Sequence, residues 1–312
     1  MNYELSYVSP LDPAWQRLLM RGIETLSGRQ GLLPVYHRWR DEVAGKHPQM
    51  MQEAMRMSHV GLDLEAAPNW NVVPADQPLV IVANHPFGIA DGMGLLAIAE
   101  HIGRPYRVLI NAEFMRVPEI RSIALPIDFS GGRQAQRVNL ESRAKARALL
   151  KDGVTIAVFP AGGVATAERV GGIAEELPWK PFASSIVEHA RASVLPVYFH
   201  GQNSRLFHFI SRYSTALRVS LLVAEFRHAL GSNVRASIGQ LMCYEEIATL
   251  GGRRAITEEL YVRVHRLMPG AADLPRENLL PRPHHERRKW PWEQASPLYR
   301  SRGSSLETIT TH

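Results

Sequence analysis

A histidine and an aspartate six positions apart, His85 and Asp91, are the residues best placed in this chain to do chemistry. A carboxylate that accepts a hydrogen bond from one imidazole nitrogen fixes the tautomer and stabilises the imidazolium. The other nitrogen is then left to take a proton. No serine or cysteine stands beside the pair, so the natural proton donor is the hydroxyl of a substrate. The same residue types also suit a structural task, a histidine closing a loop and an aspartate capping a helix. Spacing alone does not separate the two.

The elements that must position this pair can be read on either side of it. Leu79 to Ala83 is an apolar run of the kind shown by a fully buried strand, and it stops at Asn84-His85-Pro86. Gly88, Ala90 and Gly92 supply a tight turn, and Met93 to Ala99 reads as a helix starting near Asp91 or Gly92. The histidine therefore belongs at the C-terminal end of a strand. Further strands are expected at Asn71–Pro74, Arg107–Ile110, Ile123–Ile127, Val154–Phe159, Val194–Tyr198 and Asn233–Ile238. Helices are expected at Gly92–His101, Arg133–Leu150, Pro181–Arg191, Ala216–Leu230 and Arg253–Met268. Strands alternating with helices predict an α/β sandwich with a mixed, largely parallel sheet flanked by helices, its ligands gathering at strand ends. Ahead of it, Asp12-Pro13 opens an amphipathic helix closed by Gly28, and Leu32–Val43 and His47–Val60 are two more helix candidates. The organisation read from this is an N-terminal helical extension over 1–69 packed on a catalytic domain at 70–269. A basic tail at 270–312, rich in proline, arginine and serine, is expected to be disordered.

The string Asn84-His85-Pro86-Phe87-Gly88-Ile89-Ala90-Asp91-Gly92 resembles the catalytic block of the lysophospholipid (glycerolipid) acyltransferase family, which includes 1-acylglycerol-3-phosphate acyltransferases. The likeness is to its hemolysin-like branch, with the form NHPxGxxDG. Further blocks follow in the family's order. Asn111 to Asp128 resembles the second block, Val158 to Val164 the FPxG block, and Val194 to Tyr198 with Gly201 to Phe207 the fourth. The resemblance implies a glycerolipid-acyltransferase-like sandwich. It implies transfer of a fatty acyl group from acyl-CoA or acyl carrier protein to a hydroxyl of a lysolipid-like acceptor, such as lysophosphatidic acid or a lyso-ornithine lipid. His85 would be the general base and Asp91 its orienting partner, with direct transfer, no acyl-enzyme, no metal and no bound cofactor. Substrate contacts are expected from Asn84, Gly88, Phe159, Pro160, Gly162, Asn203 and Ser204. Arg133 or Arg137 is expected to meet an acceptor phosphate, since a guanidinium makes paired charge-assisted bonds. Backbone N–H groups around Gly88 or Gly162 could stabilise the oxyanion. Ala161 stands where many members have a glutamate, which argues against assuming lysophosphatidic acid as the acceptor.

Composition bounds the remainder. At 312 residues and 45% hydrophobic, the chain can bury a sizeable core. The single Cys243 excludes an internal disulfide framework and a cysteine-rich metal site. The polar, proline-broken start is not that of a secretory leader, and no apolar run approaches the ~20 residues of a membrane span. A net charge of +6 suits acidic partners, and anionic membrane is preferred over nucleic acid because no zinc spacing, basic-zipper pattern or RNP string is present. The expectation is a cytoplasmic protein held peripherally at the inner face of the membrane. Ser204 lacks the GxSxG context of a hydrolase nucleophile, and His200 and His208 read as packing or surface residues. Two alternatives stay open: acyl transfer to an amine or sugar, and a non-catalytic protein that binds anionic lipid.

Overall fold

The computed structural model describes residues 29–74, 76–169, 171–211 and 215–281. The helix read at 12–28 and the tail beyond 281 lie outside the described residues. The described chain opens with helices α1 (Arg29–Glu42) and α2 (Met50–Met57) and strand β1 (Gly61–Ala66). Then follow β2 (Leu79–Ala83), α3 (Ile89–His101), β3 (Tyr106–Asn111), β4 (Ala124–Ile127), α4 (Gly132–Lys151) and β5 (Thr155–Val158). A small hairpin, β6 (Thr166–Ala167) and β7 (Ala174–Glu175), leads to α5 (Phe182–Ala190) and β8 (Ser193–Phe199). The remainder is α6 (Arg205–Ile210), α7 (Thr215–Ala229), β9 (Asn233–Ile238), α8 (Tyr244–Ala248), α9 (Arg253–His265) and α10 (Arg276–Leu279).

Seven strands form one sheet in the order β1-β9-β8-β2-β5-β3-β4. From β8 to β4 every neighbour is parallel, while β9 runs antiparallel to β8 and carries β1 parallel to itself. This is the mixed, largely parallel sheet that the strand–helix alternation predicts. β2 lies at its centre, and each of its five residues is fully buried. Its side chains alternate between the two halves of the core, as strand geometry requires. Leu79, Ile81 and Ala83 face the cluster built with α2 and α3, including Met51, Leu95 and Ile98. Val80 and Val82 face the cluster of α4, α5 and α9, including Leu150, Ile186 and Leu260. Burial on both faces explains why β2 reads as an unbroken apolar run.

Two expectations are corrected. Asn71–Pro74 is no strand: it is turn and coil, with Val72 68% exposed. The edge strand is instead Gly61–Ala66, directly behind the helix candidate at His47–Val60, so the sheet begins ahead of residue 70. Its Leu62 and Leu64 pack inward while Asp63 and Glu65 alternate with them, the half-buried pattern of an edge. Beyond Pro269 the chain goes on packing, with Ala271 and Leu279 buried against Val262. Among the described residues no helix is long and apolar enough to cross a membrane.

The helical front is fastened to the sheet by a buried acid. Glu100, near the end of α3, accepts the Met51 and Gln52 N–H groups, each at 2.9 Å, at the start of α2. It also accepts the Tyr106 hydroxyl at 2.8 Å. A carboxylate on the orphan amides of a helix start gains both hydrogen bonds and dipole energy. Glu100→Ala should therefore lower stability by about 2–4 kcal/mol. That would be read as a lower urea midpoint at constant m; an unmoved midpoint would show that α2 is held by packing alone.

Candidate active site

The ladder of β2 and β8 is extended one rung by a side chain. Asn84 donates from Nδ2 to the Phe199 carbonyl at 2.9 Å and accepts the Phe199 N–H at Oδ1 at 2.6 Å. With the amide standing in for main chain, the backbone turns out of the sheet at its C-terminal edge. His85 is the next residue. Its own N–H donates to Glu176 Oε1 at 2.8 Å and its carbonyl accepts from the Ala165 N–H at 2.8 Å. The imidazole stacks on Phe159, centroids 3.9 Å apart, and its Nδ1 lies 3.1 Å from Asp91 Oδ2.

Asp91 is wholly buried. It lies in the first turn of α3, which starts at Ile89, a little earlier than the apolar pattern suggests. Its Oδ2 also accepts the Phe87 N–H at 2.9 Å, and Oδ1 accepts the N–H groups of Gly88 and Gly92 at 2.7 and 2.8 Å. The reach back to Gly88 is the acidic half of a capping box. A carboxylate is an acceptor only, so the shared proton sits on Nδ1 and the lone pair of neutral His85 is on Nε2. Hydroxyl deprotonation needs that nitrogen, and the His85 side chain keeps 15% of its surface open. Gly88 makes the turn possible at φ +97.

The second loop closes over the ring. Pro160 is buried, its carbonyl accepting the Lys180 N–H at 3.0 Å. Gly162, at φ +70, lies under the ring of Phe129 and the ammonium of Lys180, which themselves form a cation–π pair at 4.0 Å. Ala161 is fully buried among Leu177 and Trp179, so this side chain faces core and not a substrate. The main-chain amides of Gly88 and Gly162 are both engaged, by Asp91 and by the Phe159 carbonyl. Neither is an idle oxyanion donor.

The remaining expected residues lie behind the turn or away from it. Asn203 donates from Nδ2 to the Phe87 carbonyl at 3.1 Å, bracing the turn from behind. Ser204 caps α6, accepting from the Phe207 N–H at 3.2 Å and donating to Glu225 at 2.5 Å. Arg133 is exposed at the start of α4, and Arg137, 75% exposed, is paired with Glu141 one turn on. His208 is buried, accepting the Ala167 N–H at 3.3 Å. Burial, aided by the neighbouring Arg218 charge, pulls it down to about 4.

One residue at the site escapes sequence reasoning. Glu176 receives the His85 N–H at one oxygen and the Trp179 indole N–H at the other, each at 2.8 Å. Burial pushes its carboxyl up to about 8; those two donors oppose the rise and the nearby Asp91 charge adds to it. Its only sequence signal is the spacing to Trp179, which says nothing of depth.

Comparison with known proteins bears on this geometry. A family model described as Acyltransferase matches residues 53–269. A lyso-glycine lipid O-acyltransferase of Phocaeicola vulgatus is 27% identical over 154 residues, covering 49% of this chain and 52% of the relative. Its counterpart from Bacteroides thetaiotaomicron is 26% identical over 153 residues, covering 49% and 54%. The chain thus spans about half the length of these relatives. Among solved structures, the 1-acyl-sn-glycerophosphate acyltransferase PlsC of Thermotoga maritima aligns over 83% of this chain and 97% of its own, at 16% identity and a TM-score of 0.47.

The turn's geometry separates two neighbouring glycines. A Cβ on Gly88 would lie 2.7 Å from Leu222 and take a left-handed conformation, whereas one on Gly92 meets nothing within 4 Å. Gly88→Ala should cost about 1–3 kcal/mol, and Gly92→Ala should be neutral or stabilising by up to about 1 kcal/mol. Paired thermal melts would show the contrast; equal effects would mean that the turn is not under this constraint.

Proposed function

The chain belongs to the acyltransferase family, and from that premise we propose that it moves a fatty acyl group from an acyl-CoA or acyl carrier protein thioester to the hydroxyl of a lysolipid acceptor. The observation that carries this reading is the His85–Asp91 pair at the C-terminal edge of the sheet, with Nδ1 committed to a buried carboxylate and Nε2 left for substrate. Nε2 takes the acceptor's hydroxyl proton as its oxygen attacks the thioester carbonyl carbon. The tetrahedral adduct then collapses, the carbon–sulfur bond breaks, and the departing thiolate recovers the proton from the imidazolium. An ester and a free thiol result, with no covalent intermediate on the protein. Asp91 holds the tautomer and offsets the positive charge that appears on the ring. No bound cofactor or metal enters the scheme. The acceptor in the relatives' names, a lyso-glycine lipid acylated on oxygen, suggests a lysolipid acceptor with a free hydroxyl.

Such an acceptor is amphiphilic, and the protein meets it at an anionic membrane, taken to be the inner face. Supporting this, Ile173, immediately before β7, is 83% exposed, and Leu206 and Phe209 on α6 are 58% and 43% exposed. Gln202 ties the two together through the Gly172 carbonyl and the Ala174 N–H, and exposed Arg169 and Arg205 flank them. Apolar tips among cations suit an anionic interface.

Release of free thiol from a long-chain acyl-CoA, and from acyl carrier protein, across a lysolipid panel tests the chemistry. One acceptor should drive turnover, and His85→Ala and Asp91→Asn should each reduce it by ~100-fold or more. Wild-type inertness with every pair, or full activity in His85→Ala, would refute it. For the surface, Ile173→Asp with Leu206→Asp should weaken binding to anionic vesicles by ~10-fold or more, while Leu140→Asp, an exposed site on α4, should not. Equal binding by all three proteins would remove this surface from the interface.

A further inference from the structure

Glu176 is not used by the chemistry above, yet it holds the main chain of the base. It follows directly on β7, and its carboxyl reaches the His85 turn, Trp179 three residues on, and α9. Oε1 accepts the His85 N–H, Oε2 accepts the indole N–H of Trp179, and the Nε2 of His265, the last residue of α9, lies 3.6 Å from Oε2. His265 Nδ1 is 2.9 Å from the Tyr261 carbonyl. A carbonyl only accepts, so that nitrogen carries the hydrogen and Nε2 of the neutral ring turns its lone pair to Glu176. The His265 ring stacks on Tyr261 at 3.8 Å and meets Tyr198 at 5.8 Å and Trp179 at 6.1 Å. A carboxyl with a donor on each oxygen and a histidine lone pair beyond one of them has a place for a single proton.

We propose that Glu176 is a positioning residue for His85, clamping the backbone of the catalytic turn and gaining or losing one proton on the side that faces His265. This rests on the reading of His85 as the base. The charged and titratable groups facing Glu176 are His85 and Asp91 from the turn, Tyr198 from β8, and Tyr261 and His265 from α9. Burial holds the Glu176 carboxyl protonated up to about 8 and pulls His265 down to about 4, so near neutrality the pair holds one proton, on the carboxyl. Asp91 is then the one carboxylate bonded to the turn. Loss of the Glu176 proton places a second negative charge at the His85 backbone, which strengthens the N–H clamp and favours the imidazolium.

Glu176→Gln keeps an acceptor for the His85 N–H and cannot ionise. Two readouts, kcat against pH and thermal unfolding against pH, separate the possibilities. Wild type should show a rise in kcat through about pH 8, absent in Glu176→Gln, whose kcat should match wild type below that rise and fall ~10-fold short above it, with KM changed less than about twofold. A carboxyl whose folded value is raised binds its proton more tightly folded than unfolded. Its contribution to stability is thus full below the ordinary carboxylate range and is lost as pH rises toward about 8. Glu176→Gln should therefore gain stability relative to wild type across that window. Trp179→Phe removes a donor that favours the ionised form, so the kcat rise should move to higher pH, and this variant serves if Glu176→Gln fails to fold. Superimposable kcat profiles would reduce Glu176 to scaffold. A stability difference flat with pH would remove the proton. The melts need no substrate, so they judge Glu176 even if the acyltransferase reading fails.

Discussion

A single wholly buried carboxylate fixes the shape of the turn that carries His85. Asp91 collects three main-chain N–H groups and the imidazole of His85. Each bond to a charged acceptor contributes on the order of 1.5–3 kcal/mol, and a buried carboxylate short of its donors is expensive. The backbone from Phe87 to Gly92 must therefore wrap around it. That wrap demands a left-handed residue at Gly88 and starts α3 at Ile89. Cap, turn and histidine partner are one side chain, so the structural work of Asp91 does not compete with the orienting role proposed for it.

The turn is held against a rigid support. β2 is buried on both faces at the centre of the sheet, and Asn84 finishes its pairing with β8 before the chain leaves the sheet. From the other side, Ala165 and Glu176 hold the two main-chain groups of His85, and Asn203 holds the Phe87 carbonyl. Buried Arg218 reaches the Val164 carbonyl and Thr166, fastening the loop after β5 to α7. The base proposed here must stay within a fraction of an ångström of its working place, and the main chain of its turn is held by groups from several parts of the chain.

What the sequence discloses follows from how local each signal is. The β2 run, the turn and Asp91 lie within a dozen or so consecutive residues, so strand, cap and chemistry are legible together. β1 is not: half-exposed GLDLEA alternates weakly, and its pairing with β9 spans most of the chain. Asn71–Pro74 has strand-like residues but, among the described residues, no partner strand to make it one. The polar residues Asn84, Asn203 and Ser204 stand in motifs that suggest substrate contact, while their hydrogen bonds serve backbone and cap. Glu176 is the reverse case, a residue without a motif that long-range packing brings to His85. Arg137 shows why charge alone misleads: its partner is one helical turn away.

The most direct test of the account is the protonation state of the His85 ring nitrogens in the protein without substrate. It can be read by 15N NMR on histidine-labelled protein, with the signals assigned by their loss in His85→Ala. At a pH where the ring is neutral, Nδ1 should carry the proton in a hydrogen bond to Asp91, with Nε2 unprotonated. Asp91→Asn should abolish that preference. A ring protonated at Nε2, or one averaging between tautomers, would contradict the claim that Asp91 holds His85 ready to act as a base.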